Sequence, residues 1–81
     1  MVRVVLNTEF SRLADGRTEV RVDAADYRDL ETALAERFPA LGERLATGVS
    51  VAIDGEMVGE PHLEPLGPDA EVVFLPRISG G

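Results

Sequence analysis

The sequence predicts an α+β fold: a small mixed sheet with one main helix packed on one face. Three observations lead there. Apolar and polar residues alternate with period 2 near both ends of the chain, the spacing of half-buried strands. Between those stretches Tyr27, Leu30, Ala33, Leu34 and Phe38 recur at helical spacing. No linker, repeat or low-complexity stretch divides the 81 residues, and a chain of that length closes a single modest core. The chain is read as one domain, residues 1–81, with residues 76–81 as a flexible C-terminal tail.

Each element follows in order. Residues 2–6 place Val2, Val4 and Leu6 on one face of a strand and Arg3 and Val5 on the other. Phe10 and Leu13 continue the apolar content through a turn-like segment, and Asp15-Gly16 is a turn signal. Residues 18–22 alternate again, so the first two strands read as a hairpin. Asp26 fits a helix N-cap, with Asp29 placed to favour the helix dipole, and Pro39 stops the helix at Phe38. Residues 40–46 read as a loose turn of helix. Val49, Val51 and Ile53 form the inward face of a third strand, Asp54-Gly55 is a hairpin turn, and residues 56–58 return. Residues 60–69 read as an extended loop. Residues 71–75 are apolar on both faces, which predicts a strand buried on both sides.

Composition narrows the function classes. The net charge is −7, which opposes binding to phosphate backbones and speaks against nucleic acid as a partner. The acidity either favours partners with basic surfaces or serves solubility alone. There is no cysteine, so disulfides, thiolate metal sites and a cysteine nucleophile are excluded. All eight basic residues are arginine; without lysine the chain offers no ε-amine for isopeptide linkage to itself. No apolar run approaches the roughly 20 residues needed to span a bilayer, and no signal-peptide pattern is present; no membrane partner and a cytoplasmic location are expected. His62 stands alone in a loop with no second ligand at metal spacing, so no metal site is expected. Asp54, Glu56 and Glu60 sit around a hairpin, where exposed acids are ordinary. No nucleophile–base constellation or glycine-rich phosphate loop is present.

The chain's end is its most specific feature. The final strand leads through Pro76, Arg77 and Ile78 to Ser79-Gly80-Gly81. Two terminal glycines make the thinnest peptide, so a narrow enzyme channel could admit them and reach the Gly81 carboxylate. Pro76 stiffens the exit from the sheet and limits the entropy lost when the tail orders in a channel. From Leu75 to Gly81 the reach is roughly 20 Å. Of Phe74 and Leu75, alternation turns one toward the core and the other outward; the outward one is a candidate interface anchor. Arg77 is either a partner to an acidic group or a solvated charge.

Four stretches carry a family likeness. Val2-Arg3-Val4-Val5-Leu6 with Leu13-Ala14-Asp15-Gly16 forms the first, and the helix with its Phe38-Pro39-Ala40-Leu41 exit the second. Val51-Ala52-Ile53-Asp54-Gly55-Glu56-Met57-Val58 is the third, and Glu71 through Gly81 the fourth. In that order the chain resembles the ubiquitin-like β-grasp sulfur carriers, the MoaD/ThiS family, and among them the small subunit of molybdopterin synthase. It departs at Arg77, where the family usually has a second proline, and at Gly67-Pro68-Asp69-Ala70, which replaces the usual Asp-Gly-Asp turn.

The resemblance implies a β-grasp fold and a non-catalytic role as subunit or cosubstrate. It implies that Gly81 is adenylated by a ubiquitin-activating-like enzyme and converted to a thiocarboxylate, Gly80 letting the backbone thread closely. A sulfur donor protein supplies the sulfur, and an acceptor enzyme such as the molybdopterin synthase large subunit receives it. ATP is consumed by the activating enzyme and no cofactor is bound by the chain. Phe74, Leu75, Pro76, Arg77, Ile78 and Ser79 become the partner-binding segment. Three alternatives remain at this level: a sulfur carrier for another pathway (thiamine, cysteine or a thio-metabolite), a protein modifier that forms isopeptides with other proteins, and an interaction module with an inert tail.

Overall fold

The computed structural model describes residues 1–59 and 61–76. Its elements run β1 (Val2–Val5), α1 (Thr8–Arg12), β2 (Glu19–Val22), α2 (Tyr27–Arg37), α3 (Pro39–Ala46), β3 (Val49–Ile53), β4 (Glu56–Val58) and β5 (Glu71–Pro76). The strands form one sheet in the order β2-β1-β5-β3-β4. β1 and β5 are parallel, and the other neighbours are antiparallel. This mixed sheet with helices against one face is the expected α+β arrangement.

Alternation decides which face is covered. Val2, Val4, Val20, Val22, Val51, Ile53, Val72 and Phe74 point to one side and join Leu30, Leu34, Leu41 and Leu45 from the helices in a single core. Phe74 lies at its centre, edge-on to Phe10 at 6.3 Å and to Tyr27 at 6.2 Å, the arrangement that aromatic quadrupoles favour.

α2 begins where expected: the Asp26 side chain accepts the Asp29 backbone N–H at 2.8 Å, satisfying one of the unpaired donors of the first turn. Its predicted stripe is the core face, with Tyr27, Leu30, Leu34 and Phe38 buried and Ala33 packed against them. Asp54 and Gly55 both take positive φ, 51° and 84°, as a tight two-residue hairpin turn between β3 and β4 requires.

Three elements differ from the sequence reading. The segment after β1 is a helical turn, α1. Asn7 caps it by accepting the Phe10 N–H at 3.0 Å, and the turn aims Phe10 into the core, where it is fully buried. The region after Pro39 is a full helix, α3, with Pro39 in its first turn, where a missing N–H costs nothing. Gly42 lies inside it because α2 passes so close that a Cβ there would sit 2.6 Å from the Ala35 Cβ. Third, β5 is covered on one face only. Val72 and Phe74 are fully buried, Val73 is half-buried and Leu75 is exposed. The apolar content on both its faces reflects its central place in the sheet, with backbone neighbours on each side, rather than a second covering layer.

The long connection before β5 is tied down at its far end. Tyr27 N–H donates to the Glu64 carbonyl at 3.0 Å and Leu66 N–H to the Ala25 carbonyl at 2.9 Å. Leu66 and Ala70 are buried, so this loop closes the core beside the start of α2.

Candidate functional site: the root of the C-terminal tail

The predicted site begins where β5 ends. β5 is held by β1 as far as Val73, which pairs with Val5. Beyond that point only β3 holds it, through Ser50 opposite Leu75 and Val49 opposite Pro76. The residues that lead to the tail thus leave the centre of the sheet held along one side only.

The structure separates the two anchor candidates. Phe74 is fully buried among Phe10, Tyr27 and the helices. Its assignment to partner binding is corrected: its ring is committed to the core, and exposing it would leave a large cavity. Leu75 faces the other way with 38% exposure, and Pro76 is exposed beside it. Arg77, Ile78, Ser79, Gly80 and Gly81 lie outside the described residues.

Leu75 has neighbours that reading one strand at a time does not reveal. Register aligns Val5 with Val73, Val73 with Ala52, and Ala52 with Met57. These four residues form an apolar row across the uncovered face, ending at Met57, which is 61% exposed. Leu75 lies on that face one row closer to the tail. The opposite side of the row is charged: Arg3 pairs with Glu71 and with Glu19 at 3.9 Å, and Arg21 with Glu19 at 3.6 Å. An apolar strip with a charged border is the anatomy of a protein-docking surface. The signal in the sequence was the apolar character of Val5, Val73 and Met57 at outward positions; their adjacency depends on strand order.

Elsewhere there is little chemistry. Among the described residues no three His, Asp or Glu side chains converge as metal ligands, and no helix is long and apolar enough to cross a membrane. A cleft of about 410 Å³ lies between α2, α3 and β3, bordered by Tyr27, Glu31, Val49 and His62. Burial, and then the nearby Glu31 carboxylate, push the Tyr27 phenol well above its ordinary range, so the ring is a neutral wall of this cleft and not a base.

Solved structures share this arrangement over their whole length. SAMP1 from Haloferax volcanii is 28% identical with a TM-score of 0.77, the match covering 99% of this chain and 98% of that one. The Amycolatopsis orientalis BexX/CysO complex contains a chain that is 18% identical with a TM-score of 0.86, each covered completely. The complex of subunits 1 and 2 of molybdopterin-converting factor from Helicobacter pylori contains one that is 21% identical with a TM-score of 0.71, the match covering 99% of this chain and 97% of that one. No curated protein matches the chain in sequence. The model of the ThiS family matches residues 4–81. These residues run from the second half of β1 through the other four strands to the glycine pair, and the fold is the β-grasp of ubiquitin-like proteins. The chain thus belongs to the ThiS family, the ubiquitin-like sulfur carriers, small non-catalytic proteins that serve partner enzymes.

Proposed function

We propose that this chain carries sulfur as a thiocarboxylate at Gly81 and serves as the small subunit of molybdopterin synthase. A carboxylate resists nucleophilic attack because it is anionic and lacks a leaving group. Adenylation by a ubiquitin-activating-like enzyme, at the expense of ATP, supplies AMP as the leaving group. A sulfur donor protein then delivers sulfur to the carbonyl carbon as AMP departs. The resulting thiocarboxylate is nucleophilic at neutral pH and passes its sulfur to a substrate held by the acceptor enzyme. Leu75 and the row from Val5 to Met57 dock the domain, while Pro76 through Ser79 carry Gly80-Gly81 into the partner.

The observation that carries this reading is the central strand β5, which ends in exposed Leu75 and Pro76 and leads directly into Arg77-Ile78-Ser79-Gly80-Gly81. The likeness to a chain of the Helicobacter pylori molybdopterin-converting factor complex supports the choice of acceptor. The test supplies the chain, with a thiocarboxylate installed chemically at Gly81, to a molybdopterin synthase large subunit and its precursor. Sulfur transfer that consumes one thiocarboxylate per carrier is expected. Failure of this acceptor, with transfer to an acceptor of cysteine or thiamine synthesis, would move the chain to that pathway.

A second reading has its own support. SAMP1 of Haloferax volcanii, a small archaeal modifier protein, shares 28% of its residues with this chain. If the activated Gly81 is transferred to lysines of other proteins, co-expression with the activating enzyme yields heavier adducts on those proteins instead of a free thiocarboxylate.

A further inference from the structure

We infer that the cleft between α2, α3 and β3 is a second anchoring point, which receives an arginine side chain from the surface of the enzyme that activates the tail. The inference deepens the sulfur-carrier reading and rests on it, since it requires an enzyme that engages the root of the tail.

The cleft combines a buried phenol, a carboxylate and an apolar wall. Leu45, Val49 and Val51 supply the wall. Tyr27 is only 4% exposed, yet its hydroxyl makes none of the side-chain hydrogen bonds among the described residues. No fully enclosed side-chain polar atom there lacks a partner, so the hydroxyl is open to the cleft that its residue borders. A phenol held this deep ordinarily has a hydrogen-bond partner, and the cleft is the space from which one comes. Glu31 follows one turn later on the same face of α2. It is half-buried and borders the same cleft. It joins no ion pair among the described residues, and no arginine lines the cleft with it. An unpaired carboxylate beside an acceptor oxygen, above an apolar wall, fits a cation on an aliphatic stem. Arginine suits it better than lysine. The guanidinium keeps its charge, carries five donors in a fixed fork and is less strongly hydrated than an ammonium, while the stem covers the wall. A volume of about 410 Å³ admits one such side chain.

Position selects the partner. Gly48 and Val49 border the cleft, and Val49 is the residue opposite Pro76. The cleft therefore lies at the end of the sheet where β5 gives way to the tail. It belongs to the helix-covered side, and Leu75 faces the uncovered side, so the two flank the root of the tail. An enzyme that grips this root meets both. The net charge of −7 favours a basic enzyme surface in that encounter.

Two measurements test this. The first needs no partner. Amide shifts of the full isotope-labelled chain are followed by NMR during titration with n-butylguanidinium and with n-butylurea, its neutral isostere. Saturable shifts centred on Tyr27, Glu31, Leu45 and Val49 are expected, with butylurea bound roughly tenfold more weakly. Glu31→Gln should bring the two probes to within about twofold of each other. Shifts spread evenly over the exposed carboxylates, or an undiminished preference for the cation in Glu31→Gln, overturn the inference. The second measurement is ATP-dependent adenylation by the activating enzyme. Glu31→Lys is expected to raise KM by about tenfold or more and to leave kcat within about twofold. Glu36→Lys makes the same charge change at an exposed position of α2 outside the cleft, and should raise KM by no more than about threefold. Circular dichroism checks that both variants are folded. Equal effects of the two substitutions overturn the inference, because overall charge would then be acting. An unchanged KM in Glu31→Lys overturns it as well, since the cleft would then bind free cations and not the enzyme. If the native chain is not adenylated at all, the sulfur-carrier reading fails and the assigned partner with it, while the probe titration still reports on the cleft by itself.

Discussion

Leu75 and Phe74 are adjacent and similarly apolar, yet they have opposite duties because a strand turns successive side chains to opposite faces. Phe74→Ala removes the ring at the centre of the aromatic cluster and is expected to cost about 3–5 kcal/mol. That is a large part of the roughly 5–15 kcal/mol available to a domain, and urea unfolding measures it. Leu75→Ser should leave the unfolding midpoint within about 1 kcal/mol of native while weakening partner binding by roughly tenfold or more, as read by calorimetric titration with the activating enzyme. Tyr27 provides a pH test. Its phenol titrates near pH 10 when unfolded and higher in the fold, chiefly because of burial. Above about pH 10 the unfolded chain loses a proton that the folded chain retains, so stability is full below that pH and falls as the pH rises further. The chain has no lysine, no cysteine and a single tyrosine. Denaturant midpoints measured at about pH 9 and pH 11 should therefore drop in native chain and drop much less in Tyr27→Phe.

At the scale of elements, legibility followed the range of the interactions. α2 and the β3–β4 hairpin were legible because their signals are local: the Asp26 cap with its apolar stripe, and the Asp54-Gly55 pair. α1 was not, since a helical turn this short leaves no periodicity; Phe10 reveals its shape only once the core is in place. α3 was underestimated as a loose turn over residues 40–46; its packing depends on Gly42, which permits close approach to Ala35. Gly42→Ala should gain helix propensity yet destabilise by about 1–3 kcal/mol through overpacking. For a domain of this size that lowers Tm by about 4–8 °C per kcal/mol, measurable by scanning calorimetry. The proposed tail chemistry is read from consecutive residues and draws on no topology. The row from Val5 to Met57 was invisible because it draws on β1, β5, β3 and β4, and their order is a property of topology. Asp54 joins both levels: it makes the turn and also accepts the Glu71 N–H at 2.9 Å, tying the β3–β4 hairpin to the start of β5. Asp54→Ala loses that bond and forces alanine into positive φ; a loss of about 1–3 kcal/mol is expected in equilibrium unfolding, with Asp54→Asn largely preserving stability.

At the scale of the whole molecule, the domain has one covered face, one uncovered face, and a strand in the middle that becomes the tail. The covered face supplies stability, the uncovered face supplies an apolar row with a charged border, and the central strand β5 belongs to both. The net charge of −7 suits encounter with basic partner surfaces over long range. On this account the folded body delivers a carboxyl group, and the chemistry itself takes place at Gly81. The most direct measurement is the intact mass of the chain after incubation with its activating enzyme, ATP and a sulfur donor. The account predicts that the native chain gains the mass difference of one sulfur replacing one oxygen, located by fragmentation at Gly81, and that a chain lacking Gly81 gains nothing. A native chain that stays unchanged while the enzyme activates another carrier in the same mixture would contradict it, as would sulfur found on any residue other than the last.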